Sequence, residues 1–127
     1  MPSKADLHIH TTCSDGRLSP EEVIKLAQLK KLSAVSITDH DTLEGYKIAK
    51  PIADKHGVEL IPGVEITTVF HEKEAHILAY YFETDTNYFE EFLIAQKDSR
   101  TNRIKGIINT LNNQDNVSGI LVKLPLP

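Results

Sequence analysis

The sequence is poor in several residue types, and each scarcity excludes a class of protein. It contains one cysteine, Cys13, so an internal disulfide is impossible, which favours a reducing compartment. It has no tryptophan and no apolar run near the roughly 18 residues that a membrane span requires. The start of the chain also lacks the pattern of a secretory signal peptide. These absences predict a cytoplasmic protein without a membrane anchor.

Strong basic character is also missing. The chain has 14 lysines and arginines against 18 acidic residues, which gives a net charge of −4. No basic run and no interleaved aromatic stripe offers an electrostatic footprint for nucleic acid. Nucleic acid stays open as a substrate, but tight binding to it has no support. The 127 residues with 40% hydrophobic content predict one globular domain.

Two histidines stand at the end of a short apolar run near the N-terminus, in the stretch DLHIHTTCSDG at residues 6–16. If residues 4–9 form a strand, alternate side chains point the same way, so His8 and His10 emerge on one face. Asp15 follows in the adjoining turn. Two imidazoles and a carboxylate that converge where a strand meets a loop predict a metal site. Cys13 is interpreted as a small loop residue rather than a nucleophile.

Three later segments again combine an apolar strand with acidic or imidazole side chains. An acid inside an apolar run is costly unless something cationic meets it, so these positions are unlike surface decoration. The segments are AVSITDHDT at 34–42, with His40 between Asp39 and Asp41, IPGVEIT at 61–67, with Glu65, and HILAY at 76–80, with His76. His71 and His56 are interpreted as a solvated turn residue and a helix-end cation.

Periodicity and turn signals predict alternating strands and helices. Ser19, Pro20 and Glu22 form the pattern of a capping box at a helix start, and Gly57 is typical of a helix end. Alternation over the first 60 residues indicates parallel βα units, whose functional groups follow the strands. The predicted strands are 4–10, 33–38, 58–68 and 74–82, and the predicted helices are 20–32, 43–56 and 86 to about 112.

From Lys4 to Phe82 these segments resemble the first motifs of the PHP (polymerase and histidinol phosphatase) superfamily of metal-dependent phosphoesterases. The joint order of Asp-Leu-His-Ile-His-Thr, Thr-Asp-His-Asp and Gly-Val-Glu-Ile carries the resemblance. It implies an α/β fold, the first three to four strands of a distorted (β/α)7 barrel with an open sheet. It also implies up to three divalent ions, Zn, Mn or Fe. His8 and His10 would bind one ion, Glu65 would bridge it to a second ion held by His76, and Asp15 with His40 would hold a third.

The resemblance further implies hydrolysis of a phosphate ester by a metal-bound hydroxide. The substrate would be a small phosphorylated metabolite or a nucleotide. Asp6, Asp39 and Asp41 are predicted to orient ligands from beside them, although each could equally be a turn or capping acid. Arg100 and Arg103 are interpreted either as phosphate-binding residues or as solvated arginines on a helix.

Family members continue well beyond this length and supply more ligands, a further His and an Asp-x-His pair, which this sequence lacks. We therefore expect metal-binding βα units at residues 1–83 and, at 84–127, a helical segment resembling the start of an insertion. An open sheet edge would favour self-association. A catalytically incomplete metal-binding fragment remains an alternative to the phosphoesterase, and an amidohydrolase-like hydrolase, which also opens with His-x-His, is a weaker one.

Overall fold

The structure is a computed structural model that describes residues 2–112. In this range the predicted elements are present with ends shifted by at most a few residues, except that the strand predicted at 58–68 is divided into two. The C-terminal tail after residue 112 lies outside the described residues. The elements are β1 (Ala5–Ile9), α1 (Pro20–Leu29), β2 (Ala34–Ile37), α2 (Glu44–His56), β3 (Glu59–Leu60), β4 (Gly63–Phe70), β5 (Lys73–Tyr80) and α3 (Asn87–Asn112).

A parallel sheet forms the first part of the fold, in the order β1–β2–β3. Ala34 of β2 pairs with Ala5 on one side and with Glu59 on the other. The predicted parallel βα units are therefore confirmed. Because parallel strands all end at the same edge, the segments that follow β1 and β2 lie side by side.

An antiparallel hairpin of β4 and β5 forms the second part, and its register runs from Gly63 opposite Tyr80 to Phe70 opposite Lys73. Pro62 separates β3 from β4, because proline has no N–H to donate to a ladder. A single parallel bridge between His40 and Glu65 joins the end of β2 to the hairpin. The hairpin is thus fixed to the edge of the sheet where the parallel strands end.

The helix ends follow the predicted signals. The Ser19 side chain accepts a hydrogen bond from the N–H of Glu22, whose carboxylate in turn accepts from the N–H of Ser19 at 2.8 Å. Gly57 ends α2 in the left-handed conformation, with a φ of 67°. Ser19 thus fixes where the loop after β1 ends and α1 begins, and Gly57 fixes where α2 ends.

Apolar side chains fill the space between the parallel sheet and its two helices. Ile24 of α1, Val35 of β2 and Ala49 of α2 are fully buried in this cluster. A smaller cluster joins the hairpin to α2 and α3 through three side chains, Leu43, Val64 and Leu93. The core therefore lies under the parallel sheet, and the hairpin is attached by fewer buried contacts.

The outer edge of β1 is irregular. Its register against β2 shifts between Asp6 and Ile9, and the N–H of His8 donates to the Asp6 side chain at 3.3 Å. Leu7 is 42% exposed on this edge, and its carbonyl accepts a hydrogen bond from the Tyr80 hydroxyl at 2.6 Å. Irregular edge strands pair less readily with another strand than flat ones do, so β1 is partly protected from such pairing. Self-association of the chain stays a prediction.

Candidate metal centre

The loop after β1 carries the first group of site residues. His8 lies on β1 and His10 follows its end directly, so the two imidazoles share a face with ring centroids 5.2 Å apart. The chain then turns tightly, and the N–H groups of Ser14 and Gly16 both donate to the carbonyl of Thr11. This turn brings Asp15 Oδ1 to 2.6 Å from His10 Nδ1.

Glu65 is the centre of the site. Its Oε1 lies 2.6 Å from His8 Nε2 and 3.1 Å from His10 Nε2. Its Oε2 lies 2.5 Å from Nδ1 of His76, which points to the same face of the hairpin. The side chain is buried among these imidazoles, and it is the only charged side chain of its strand. One carboxylate therefore contacts groups from both parts of the fold.

His40 lies between Asp15 and Glu65, immediately beyond β2. Its Nε2 is 3.3 Å from Asp15 Oδ2, and its Nδ1 is 3.4 Å from Glu65 Oε2. The ring packs edge-on against the rings of His10 and His76, with centroids 4.5 Å and 5.3 Å away. The end of β2 thus contributes the imidazole that joins the two acids.

All six residues predicted as metal ligands meet in this one place. Within residues 2–112 they form three groups in which the donor atoms lie within 4.8 Å of one another. Ligand bonds of about 2.0–2.2 Å place donors on one ion about 3–4 Å apart. Each group can therefore hold a single ion after small side-chain movements that separate its contact of 2.5 or 2.6 Å. Imidazole and carboxylate mixtures suit Zn, Mn and Fe. The groups are His8, His10 and Glu65; His10, Asp15 and His40; and His40, Glu65 and His76.

The groups share members, and this limits what each ion can receive. A neutral imidazole has one free lone pair, whereas a carboxylate has two oxygens and can bridge two ions. If His10 serves the ion beside His8, then the ion beside Asp15 depends on His40. The Glu65 and His76 pair then lacks the imidazole of His40 as a third donor. At least one of the three groups therefore has fewer than three protein donors when all three are filled.

The electrostatics of the site keep its acids ionised. Burial works to raise the pKa of Glu65, but hydrogen bonds from His76 and His8 and the nearby imidazoles bring it below its ordinary value. Burial likewise opposes ionisation of Asp15, whose pKa is still lowered by His10 and His40. The pKa of His76 is raised, first by its hydrogen bond to Glu74 and then by Glu65.

The three acids expected beside the ligands contact backbone and hydroxyl groups. Asp6 accepts from the N–H of His8 at 3.3 Å. The buried Asp41 has a φ of 53°, accepts from the N–H of Thr67 at 3.0 Å and donates its own N–H to the Glu65 carbonyl at 2.9 Å. Asp39 is fully buried and accepts hydrogen bonds from the loop after β1.

Sequence reasoning missed Glu74, whose Oε1 lies 2.7 Å from His76 Nε2. The two residues are two apart on β5 and so share a face, which is a signal that alternation along the predicted strand contains. Carboxylates in this position commonly orient a metal-binding imidazole. Glu74 therefore belongs to the site although its side chain is largely exposed.

Several other predicted residues lie away from this centre. Arg103 is exposed on α3, and the side chain of Arg100 is outside the described part of the chain. His71 is exposed in the turn between β4 and β5. Cys13 is partly buried, and burial raises the pKa of its thiol, which disfavours the thiolate form that a nucleophile needs.

None of the helices within residues 2–112 combines the length and the apolar character that a membrane crossing needs.

Comparison with known proteins places this geometry in a family. The chain is 38% identical over 103 residues to a 5'-3' exoribonuclease of Haemophilus influenzae, a match that covers 81% of this chain and 38% of the relative. It therefore spans little more than a third of that protein. A solved structure of a protein from Bifidobacterium adolescentis is 27% identical, with a TM-score of 0.76. The function of that protein as a metal-dependent phosphoesterase is itself inferred. The match covers 93% of this chain and 41% of that one.

A second solved structure, an amidohydrolase from Chromobacterium violaceum with bound sulfate and no metal, is 26% identical with a TM-score of 0.77. This match covers 92% of the present chain and 41% of the other. The model of the PHP domain family matches residues 6–119, which include every residue of the three donor groups. The chain therefore belongs to the PHP domain family.

Proposed function

We propose that this chain carries the metal centre of a phosphoesterase that hydrolyses a phosphate ester of a small metabolite or a nucleotide. The observation that carries the proposal is the meeting of three histidine and carboxylate groups that share members, two of them through Glu65. Ions bound there would lower the pKa of a water molecule and neutralise the phosphoryl oxygens, as divalent ions do in phosphoester hydrolysis.

The residues of the chain supply the remaining requirements. Glu65 uses its two oxygens toward different imidazoles, and its lowered pKa keeps it ionised at neutral pH. Asp15 and His40 supply donors for a further ion. Glu74 fixes the ring of His76 from the outside. We assign His8, His10, Asp15, His40, Glu65 and His76 as metal ligands.

The substrate class follows from the site and the charge of the chain. The Haemophilus influenzae relative is named for action on RNA, whose linkages are phosphate esters. The present sequence has a net charge of −4, so an extended polynucleotide would find little electrostatic attraction. We therefore favour a short or mononucleotide ester. Phosphate binding by Arg100 and Arg103 remains a prediction.

We also propose the larger architecture that the family implies. Residues 1–83 would be the first three to four strands of a distorted (β/α)7 barrel with their helices, and residues 84–127 the start of a helical insertion. The order of β1, α1, β2, α2 and β3 supports this proposal. Cytoplasmic location and self-association through the edge of β1 stay predictions.

Two other functions have specific support. The sharing of His10 and His40 leaves at least one of the three groups short of donors, which favours a catalytically incomplete metal-binding unit. The structural likeness to a protein named as an amidohydrolase keeps hydrolysis of amide or ester bonds as a weaker alternative. Both would bind metal through the same side chains, so turnover on defined substrates must separate them.

The test compares wild type with His8→Ala and with His71→Ala, a histidine in an exposed turn that serves as the matched control. Metal content is measured after loading with Zn²⁺, Mn²⁺ or Fe²⁺. Hydrolysis is followed with p-nitrophenyl phosphate, nucleoside monophosphates, a dinucleotide and p-nitrophenyl acetate. We expect bound metal and phosphate release in wild type and His71→Ala, and loss of one ion together with loss of phosphate release in His8→Ala.

The other outcomes are equally informative. Bound metal without turnover on any substrate would overturn the phosphoesterase and favour the incomplete unit. Turnover of the acetate ester alone would favour the amidohydrolase-like alternative. Absence of metal from the wild-type protein would overturn the ligand assignment.

A further inference from the structure

Asp39 is a charged side chain with no exposed surface at the end of β2. Its Oδ1 accepts hydrogen bonds from the N–H of Thr11 and from the hydroxyl of Ser14, both at 2.6 Å. Its Oδ2 accepts from the hydroxyl of Thr11 at 2.7 Å. Three donors from one short loop therefore converge on one buried carboxylate. We call Thr11, Ser14 and Asp39 the loop clasp.

The loop held by this clasp is the one that carries His10 and Asp15. Thr11 follows His10 directly, and Ser14 directly precedes Asp15. Each of these two site residues is therefore the chain neighbour of a residue that is bonded to Asp39. The turn is closed so tightly that a Cβ atom on Gly16 would lie 2.2 Å from the carbonyl oxygen of His10. A loop of this length could otherwise move Asp15 away from His10 by several ångströms.

Space for Asp39 is made by a glycine. A Cβ atom on Gly45, in the first turn of α2, would lie 2.3 Å from Asp39 Oδ2. The helix therefore closes over the carboxylate and excludes water from it. Because hydrogen bonds to an ionised group are stronger than neutral ones, and a buried charge must be satisfied, the loop is held in one arrangement.

The hydroxyl of Ser14 is committed to this arrangement. Its oxygen is 2.6 Å from Asp39 Oδ1 but 3.4 Å from Asp15 Oδ1. A hydroxyl has a single proton to donate, so the shorter bond to Asp39 leaves the oxygens of Asp15 available to an ion. Asp39 itself is not a member of any of the three donor groups.

We infer that Asp39 is a positioning residue: through Thr11 and Ser14 it holds His10 and Asp15 at the spacing at which one ion can bind with His40. This inference rests on the proposed metal-dependent function. It assigns a role to a buried carboxylate that is not one of the proposed ligands. The group of His40, Glu65 and His76 contains neither His10 nor Asp15, which makes the effect of the clasp separable from a general loss of stability.

The experiment uses two variants of the clasp and one matched control. Ser14→Ala and Thr11→Val each remove one hydroxyl from Asp39; the Thr11 hydroxyl also accepts from the N–H of Cys13 at 3.1 Å, which is not a proposed ligand. Ser36→Ala is the control, because Ser36 is equally buried and its hydroxyl donates to the carbonyl of Ile61 at 2.9 Å, away from the loop. The three proteins should show comparable thermal unfolding.

The first readout needs no metal. Amide hydrogen exchange at residues 12–16 should accelerate at least about tenfold in both clasp variants and remain as in wild type in Ser36→Ala. The second readout is calorimetric titration with Mn²⁺. The affinity for the ion beside Asp15 should fall roughly 10- to 100-fold in the clasp variants, while binding of the ion beside His76 is unchanged.

Equal exchange in the clasp variants and in wild type would overturn the inference, as would faster exchange with unaltered Mn²⁺ affinity. A uniform loss of affinity for all ions, shared by Ser36→Ala, would reduce Asp39 to a purely structural role and overturn it too. The proposed function would be refuted, and the role of the clasp retained, if wild type bound metal but hydrolysed nothing and the clasp variants selectively lost the ion beside Asp15. Absence of bound Mn²⁺ from wild type would refute both.

Discussion

The parallel sheet with its helices and the β4–β5 hairpin supply the same site but are stabilised very differently. The sheet region provides His8, His10, Asp15 and His40 and is backed by a buried core. The hairpin provides Glu65 and His76, and its outer part exposes Val69, Phe70 and Ile77. The difference teaches that Glu65, buried where the two regions join, links a rigid half of the site to a less firmly anchored half.

The largest effect should come from breaking that link. Glu65→Ala removes the acid that contacts imidazoles of both regions, so two of the three groups lose a carboxylate. We expect loss of two ions and a fall in phosphoester turnover of at least about a thousandfold, which corresponds to roughly 4 kcal/mol. Metal analysis and steady-state kinetics measure both quantities.

The control for this change is Glu72→Ala, which removes an exposed acid from the turn of the hairpin. It should leave metal content and turnover as in wild type. Retention of all ions by Glu65→Ala would contradict the central position of this carboxylate.

The next largest effect concerns the stability of the two regions. Ile24 of α1 is fully buried, whereas Ile77 of β5 is 53% exposed. Ile24→Ala should lower the free energy of unfolding by about 2–5 kcal/mol through lost burial and a residual cavity. Ile77→Ala should cost less than about 1 kcal/mol. Urea unfolding of the two variants checks the contrast, and equal losses would show that the hairpin is packed as firmly as the sheet region.

The contrast between the regions also explains what could be predicted from the sequence. The capping box at Ser19 and the left-handed Gly57 depend on neighbouring residues, and both were predicted. The predicted strand at 58–68 was wrong in one respect, because Pro62 divides it and the second part turns into an antiparallel hairpin. The effect of that proline on the ladder is local chemistry that the prediction overlooked.

Contacts across the sheet could not be predicted in the same way. The hydrogen bonds of Asp39 join it to residues 25 and 28 positions earlier, and the acid alone could equally have been a turn or cap. The six proposed ligands were assigned from a resemblance to a family, and the fold brings their side chains into three groups of neighbouring donors. Glu74 was missed, although its spacing from His76 on β5 made it visible in principle.

A moderate effect on metal affinity should follow from weakening the contact that orients His76, the proposed ligand on β5. Glu74→Gln keeps a carbonyl that can accept from His76 but removes the charge that orients and polarises the ring. We expect about tenfold weaker binding of the ion beside His76, with the other ions unaffected. The measurement is calorimetric titration at pH 8, where protons compete little for the imidazole. Glu72→Gln is the matched charge control, and equal affinities for the two variants would exclude an orienting role for Glu74.

The smallest effect concerns the free energy of unfolding, whose dependence on pH should have opposite signs in the metal-free and the metal-loaded protein. The raised pKa of His76 contributes stability that is present below its ordinary value of 6.5 and is lost as pH rises through the folded pKa. The lowered pKa values of Asp15 and Glu65 contribute stability that is lost as pH falls below their ordinary values, 3.8 and 4.5. In EDTA the protein should therefore be most stable between about pH 4.5 and 6.5.

Because His76 is 42% exposed, solvent screens its contribution, and the loss of stability from pH 6 to pH 8 should be under about 1 kcal/mol. Metal binding requires neutral imidazoles, so with saturating metal the free energy of unfolding should instead rise over the same range. Urea unfolding with EDTA and with Mn²⁺ measures the two slopes. His76→Ala should remove the decrease seen in EDTA, whereas His71→Ala should retain it. If the free energy of unfolding of the metal-free protein also rose toward pH 8, the contacts of His76 with Glu65 and Glu74 would not stabilise the folded protein. Only the buried sheet region would then hold the site together without metal.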